Sequence, residues 1–189
     1  MNRVQQLGVW LTRLGHCRGF GIQAPDDYRF VRYVINEHWP YYAYDQLAPA
    51  DDWLQRKLGR LYLRLANYLQ PQTVVDMTGL SPSHSLHRCS GMEAYLKAGC
   101  QRCTIVSSLP PSAADGPSII LCDGSTDASL LIDACSQQTM LVVHRMWECK
   151  ELWQAIAADQ RTFTTFDLFY CGIAFFRQRH DKHQYIVNF

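Results

Sequence analysis

Asp76, Asp123 and His144 stand where chemistry is easiest to place. Each follows or closes a short apolar, β-prone run: Thr73–Met77, Ser118–Cys122 and Thr139–Val143. Open α/β sheets bind ligands at the C-terminal ends of their strands. An imidazole in that position can act as a base near neutral pH, so His144 is a candidate proton acceptor; the alternative is a hydrogen-bonded structural histidine. Asp123 reads most plainly as a turn residue ahead of a helix. Asp76 leads into a tight loop over 78–83 that contains Thr78, Gly79 and Ser81, and then into an amphipathic helix over 84–98. A strand, a small-residue loop and a helix N-terminus make a ligand-binding corner.

A second constellation is His84-Ser-Leu-His87 with Cys89, followed by Cys100-Gln-Arg-Cys103. Zinc takes such ligands, and Cys-x-x-Cys is a common half-site. If 84–98 is one helix, Cys100 lies about 20 Å from His84. The two pairs then sit at opposite ends of the helix, which argues against a shared metal, and no metal site is assigned.

Around these residues the chain alternates helix-like and strand-like runs. Val4, Leu7, Leu11 and Leu14 mark one face of a first helix. Gly15 to Gly21 breaks it, and Pro25-Asp26-Asp27 restarts a helix with Phe30, Val31, Val34 and Ile35 as its apolar face; Asp26 or Asp27 can cap it. The aromatic cluster Trp39 to Tyr44 is expected to pack this helical layer onto the domain, with a substrate-side role for Tyr41 or Tyr44 as the lesser alternative. Asp51-Asp52 opens the strongest helix, with Leu54, Leu58, Leu61, Leu65 and Leu69 at helical spacing and Arg56, Lys57, Arg60 and Arg64 expected on a solvated face. After Cys103–Ser107 and Ser118–Cys122, either Ser125 or Thr126 can cap a helix carrying Leu130 and Leu131. Residues 163–176 read as two strands with a break near Cys171-Gly172, and 184–189 as a strand-like tail. Strands alternating with helices imply parallel pairing, while the closing pair is too close in sequence for a crossover and must be antiparallel. The expected architecture is one α/β domain over 1–189, a helical lead-in over 1–70 followed by a Rossmann-like core over 71–189.

Composition limits the partners. Eighteen Lys and Arg against seventeen Asp and Glu give a net charge of +1, which offers no electrostatic reason to expect nucleic acid or an anionic membrane. No apolar run reaches a bilayer span and the N-terminus lacks an apolar signal core, so a cytoplasmic location is the default expectation. The eight cysteines then read as reduced thiols, mostly packed as small apolar groups. The tail can pair at a sheet edge within the chain or with a second copy, the latter giving a homodimer; pairing within the chain is the plainer expectation.

The helical lead-in, the strand ending Val-Val-Asp76, the helix ending Ala98-Gly-Cys100, the alternating units and the antiparallel close resemble class I S-adenosylmethionine-dependent methyltransferases, in particular the small O-methyltransferase branch, over about residues 52–177. Gly19-Phe-Gly-Ile-Gln-Ala-Pro25, Pro40-Tyr-Tyr-Ala-Tyr44 and Gln184-Tyr-Ile-Val-Asn-Phe189 also resemble a bacterial, Bacteroidetes-type lineage of methyltransferase-like proteins. The resemblance implies a Rossmann-like methyltransferase fold and S-adenosylmethionine as cofactor, held by Asp76, Thr78, Gly79 and Ser81. It also implies Asp123 as a catalytic-side residue, whereas His144 is a candidate by its place at a strand end alone. The family motif Asp-x-Gly-x-Gly-x-Gly is matched by Asp76-Met-Thr-Gly-Leu-Ser-Pro82: the acid is kept, while Thr78, Leu80 and Pro82 stand at the glycine positions. Leu80 would fill ligand space, and Pro82 offers no N–H. The acid expected at the end of the second strand is replaced by Ser107-Ser108. Residues 108–117 are too few for the next helix plus strand, so the adenine side is expected to be trimmed. The metal-dependent branch places an Asp after the run ending Cys122, matched by Asp123, and an Asp-Asn pair after the next, where this chain has His144-Arg145. Three functions follow as expectations: a methyltransferase-like protein with weak or lost activity, acting on an unknown small molecule or protein; a non-catalytic binding or assembly module; and, least favoured, a zinc-binding structural protein.

Overall fold

The computed structural model describes residues 3–16, 19–47, 52–78, 92–110 and 115–189, with residues 3–6 as backbone. The lead-in contains α1 (Arg3–Thr12), a 3₁₀ turn (Leu14–His16), α2 (Pro25–Phe30) running into a π-helical turn (Val31–Ile35), α3 (Ala43–Leu47) and α4 (Trp53–Leu69). Then follow β1 (Thr73–Asp76), α5 (Met92–Gly99), β2 (Thr104–Val106), β3 (Ser118–Cys122), α6 (Ala128–Asp133), β4 (Thr139–His144), α7 (Lys150–Ala158), β5 (Thr164–Asp167), β6 (Cys171–Phe175) and β7 (His183–Ile186). The seven strands form one mixed sheet in the order β2-β1-β3-β4-β6-β5-β7. Pairing is parallel between β1 and β2, β1 and β3, β3 and β4, and β5 and β7; β6 runs antiparallel to β4 and β5. The expected α/β class, mostly parallel pairing and antiparallel close are all present. The tail pairs within the chain, as β7 beside β5.

β3 and β4 are buried along their whole lengths, as strands covered on both faces must be. Alternate residues serve opposite layers. Val74, Ile119, Leu121, Met140 and Val142 pack with α2, α4 and α5, whereas Val75, Ile120, Leu141 and Val143 pack with α6 and α7. α4 carries the first layer. Asp52 caps it, with its side chain accepting from the Gln55 backbone N–H while the Gln55 side chain accepts from the Asp52 N–H. Gly59 lets the Tyr95 ring of α5 lie against it: an added Cβ would stand 2.4 Å from that ring.

Several sequence expectations need correction. Arg64 is 6% exposed. Its guanidinium donates to the Val34 and Ile35 carbonyls and to the Tyr44 hydroxyl, so the basic face of α4 is in part an internal one. Asp27 does not cap α2; the cap position is Ala24. Asp27 is instead buried against Arg179 (2.8 Å), His183 (3.1 Å) and the Tyr185 hydroxyl (3.0 Å), which fastens the lead-in to β7. Of the aromatic cluster, Tyr44 is buried but Trp39 and Tyr42 are largely exposed, so those two do not pack the layer. α6 is capped by Asp127, through Ser129 N–H, not by Ser125 or Thr126. The break between the closing strands falls at 168–170. There Asp167 Oδ1 accepts from Phe169 N–H, and Cys171-Gly172 already belong to β6. The part of the expected 84–98 helix that is described is α5, from Met92.

Candidate functional site

β1 leads to β2 on one side, and the chain then crosses to β3 on the other. That reversal opens a crevice at the C-terminal ends of β1 and β3, where open α/β sheets take ligands. Asp76 ends β1, Asp123 follows β3 and His144 ends β4. The parallel register sets Asp76 beside Leu121 and Cys122 beside Val143, so all three residues lie along one sheet edge. The structure therefore brings together the three residues that sequence position singled out.

Their environments differ. Asp76 is half-buried, and its Oδ1 accepts from both the backbone N–H and the hydroxyl of Thr78, at 3.0 and 2.7 Å. The acid thereby shapes the first turn of the loop, and Thr78 turns its side chain back onto it. Asp123 is 9% exposed. Its Oδ1 accepts from Ser125 N–H at 3.0 Å, the behaviour of a turn residue, while Oδ2 is buried with no hydrogen-bond partner among the described residues. A buried carboxylate oxygen left unpaired is costly, so Oδ2 is an open acceptor position. Cys149 lies beside this acid, and an added Cβ on Gly124 would come within 2.9 Å of Cys149 Cβ. Burial, reinforced by the charges of Asp123 and Glu148, pushes the Cys149 thiol up to about 11. It is a thiol at neutral pH, not a nucleophilic thiolate.

His144 is 8% exposed, and its Nδ1 is hydrogen-bonded to the Tyr62 hydroxyl of α4 at 2.7 Å. Tyr62 orients the imidazole from the helical layer, a role the leucine spacing of α4 did not signal. The one available sign was a tyrosine inside that run. Immediately after His144, Arg145 takes a left-handed conformation (φ 51°) and starts a 3₁₀ turn over Met146–Glu148. Phe169, between β5 and β6, is also left-handed (φ 67°), and its ring stacks on Trp147 at 6.0 Å. Left-handed backbone at a bulky residue is uncommon and costs about 1–3 kcal/mol. Both positions lie at the end of the sheet that carries His144.

The remaining sequence candidates divide. Gly79 and Ser81, with Leu80, Pro82, His84, His87 and Cys89, lie outside the described residues. Cys100 and Cys103 are buried free thiols following α5, and the other described cysteines are free as well. No group of three or more His, Cys, Asp and Glu residues among the described residues has the arrangement of a metal site. No described helix is long and apolar enough to cross a membrane.

The described residues fit S-adenosylmethionine only at one end. Asp76 and the open Asp123 oxygen would offer acceptors for the ammonium or hydroxyl groups of such a ligand. At the end of β2, Ser107 and Ser108 are exposed, and no carboxylate follows the strand among the described residues 107–110. β2 bonds to β1 alone among the described strands, with no further strand beyond it. No protein family, curated protein or solved structure matches the chain.

Proposed function

We propose that this chain is a methyltransferase-like α/β domain whose corner binds S-adenosylmethionine weakly and whose methyl-transfer activity is weak or lost. The observation that carries the reading is the reversal of strand order at β1, with Asp76, Asp123 and His144 aligned along the adjoining strand ends. Weakness follows from the serines at the ribose position. In this reading Asp76 shapes the loop and Asp123 Oδ2 accepts from the ligand. His144, oriented by Tyr62, takes a proton from the methyl acceptor. Transfer of a methyl group asks little more of a protein than alignment and a base. A His144→Ala variant with an unchanged transfer rate removes the base from the account.

The test is calorimetric titration and thermal shift with S-adenosylmethionine and S-adenosylhomocysteine. The expected result is saturable binding at millimolar ligand, a raised melting temperature and loss of both in Asp76→Ala. Micromolar binding refutes the claim of weakness. No response at millimolar ligand refutes the cofactor reading. It leaves the second reading, a non-catalytic binding or assembly module, which Ser107 and Ser108 favour.

A further inference from the structure

A second cleft, away from the strand ends, has a composition that the corner does not explain. It has a volume of about 630 Å³ and lies between the partly buried basic stripe of α4 and the segment that runs from the π-helical turn into α3. Arg56, Lys57 and Arg60 line one side, and Trp39, Tyr41 and Trp53 supply aromatic wall. This size suits a small organic ligand.

Among the described residues nothing neutralises the three cations. None of them makes a side-chain hydrogen bond or an ion pair with a described residue. Two carboxylates also line the cleft, Glu37 and Asp45; Glu37 accepts from the Tyr41 hydroxyl at 2.8 Å, and neither pairs with the three cations. Lys57 Nζ rests on aromatic faces, 4.1 Å from the Phe189 ring centroid and 5.4 Å from that of Trp53. Arg60 stacks its guanidinium on Tyr44 at 4.7 Å, and its Nε is buried with no acceptor among the described residues. Ring faces satisfy charge but not N–H donors. Arg60 therefore keeps a planar fork of donors unspent, a shape that matches the two oxygens of a carboxylate or phosphate. Burial, with Arg64 nearby, pushes Lys57 down to about 8. An oxyanion alongside would favour its charged form.

We propose that this cleft is a binding site for a small organic anion made of a planar ring joined to a carboxylate or phosphate. Arg60 grips the oxyanion bidentately, Lys57 adds charge, and the exposed Trp39 stacks on the ring. The proposal is independent of the strand-end corner and stands or falls without it.

The test uses the full chain with benzoate and phenyl phosphate as probes, and with phenol and inorganic phosphate as the separated halves. Binding is followed by calorimetry and by quenching of tryptophan fluorescence. At least one of the joined probes should bind saturably, about tenfold or more tighter than either half. Arg60→Gln should weaken it by about 10–100-fold, the loss of a charged bidentate contact. Trp39→Ala, at a surface position where folding is not at stake, should weaken it too and remove part of the quenching. Comparing benzoate with phenyl phosphate identifies the oxyanion. Absence of binding by both joined probes at millimolar concentration overturns the proposal. Inorganic phosphate binding as tightly as phenyl phosphate, or unchanged affinity in Arg60→Gln, also overturns it.

Discussion

Replacing Arg64 by leucine tests the claim that the basic face of α4 is internal. Arg64 Nε donates to the Val34 carbonyl at 2.6 Å, Nη2 to the Ile35 carbonyl at 2.9 Å, and Nη1 to the Tyr44 hydroxyl at 3.1 Å. Val34 and Ile35 end the π-helical turn, where backbone carbonyls have no partner within the helix. Arg64→Leu leaves both carbonyls without that donor, at about 1–3 kcal/mol each. Relief from desolvating the guanidinium, and burial of the leucine, offset part of this. The net loss is about 3 kcal/mol, which for a domain of this size lowers the melting temperature by about 6–12 °C. Arg64→Lys keeps the charge without the fork and should recover less than half. Scanning calorimetry reads the shift, and amide exchange over residues 31–36 locates it. A melting temperature within about 2 °C of the wild type would show that the guanidinium is dispensable and that the solvated-face expectation was correct.

Two further predictions concern packing and pH. Gly172 of β6 lies against Trp153 of α7, where an added Cβ would stand 2.4 Å from the indole ring; Gly172→Ala should therefore cost about 1–3 kcal/mol, and an unchanged urea midpoint would refute the close approach. Lys57 is pushed down from 10.5 to about 8 by burial, so between those values the unfolded chain binds more protons and stability contributed through this residue rises with pH. Relative to Lys57→Met, the wild type should gain stability from pH 8 to pH 10.5; a difference that stays flat across that window refutes the burial of Lys57.

Much of the architecture was legible because strands buried on both faces declare themselves. Ile119–Cys122 and Met140–Val143 are continuous apolar runs, and each leads directly into a polar residue at the sheet edge, which is why Asp123 and His144 could be singled out. Errors arose where a residue's partner is remote. Helical spacing puts Arg64 on the polar side of α4 but cannot reveal that the π-helical turn, thirty residues earlier, covers that side. Asp27 looked like a cap because its cationic partners, Arg179 and His183, lie at the far end of the chain. Gly172 drew the turn towards itself because glycine ordinarily marks turns. Here it is glycine to admit Trp153, and the turn belongs to Asp167, whose side chain accepts from Phe169 N–H. Tyr62 was hidden in a leucine pattern, and only the fold brings its hydroxyl to His144.

The tie between the two ends of the chain bears on biosynthesis. Asn188 N–H donates to the His16 carbonyl, and Arg13 pairs with Asp167, in addition to the Asp27 cluster. A ribosome releases the lead-in well before Arg179, His183 and Tyr185, which follow Asp27 by about 150 residues. Until they emerge, the carboxylate of Asp27 has no cation to enter the interior with, and sequestering it unpaired is prohibitive. Final docking of the lead-in layer must therefore wait for residues 179–185, and a nascent chain that stalls before Arg179 would keep that layer open to proteases and chaperones.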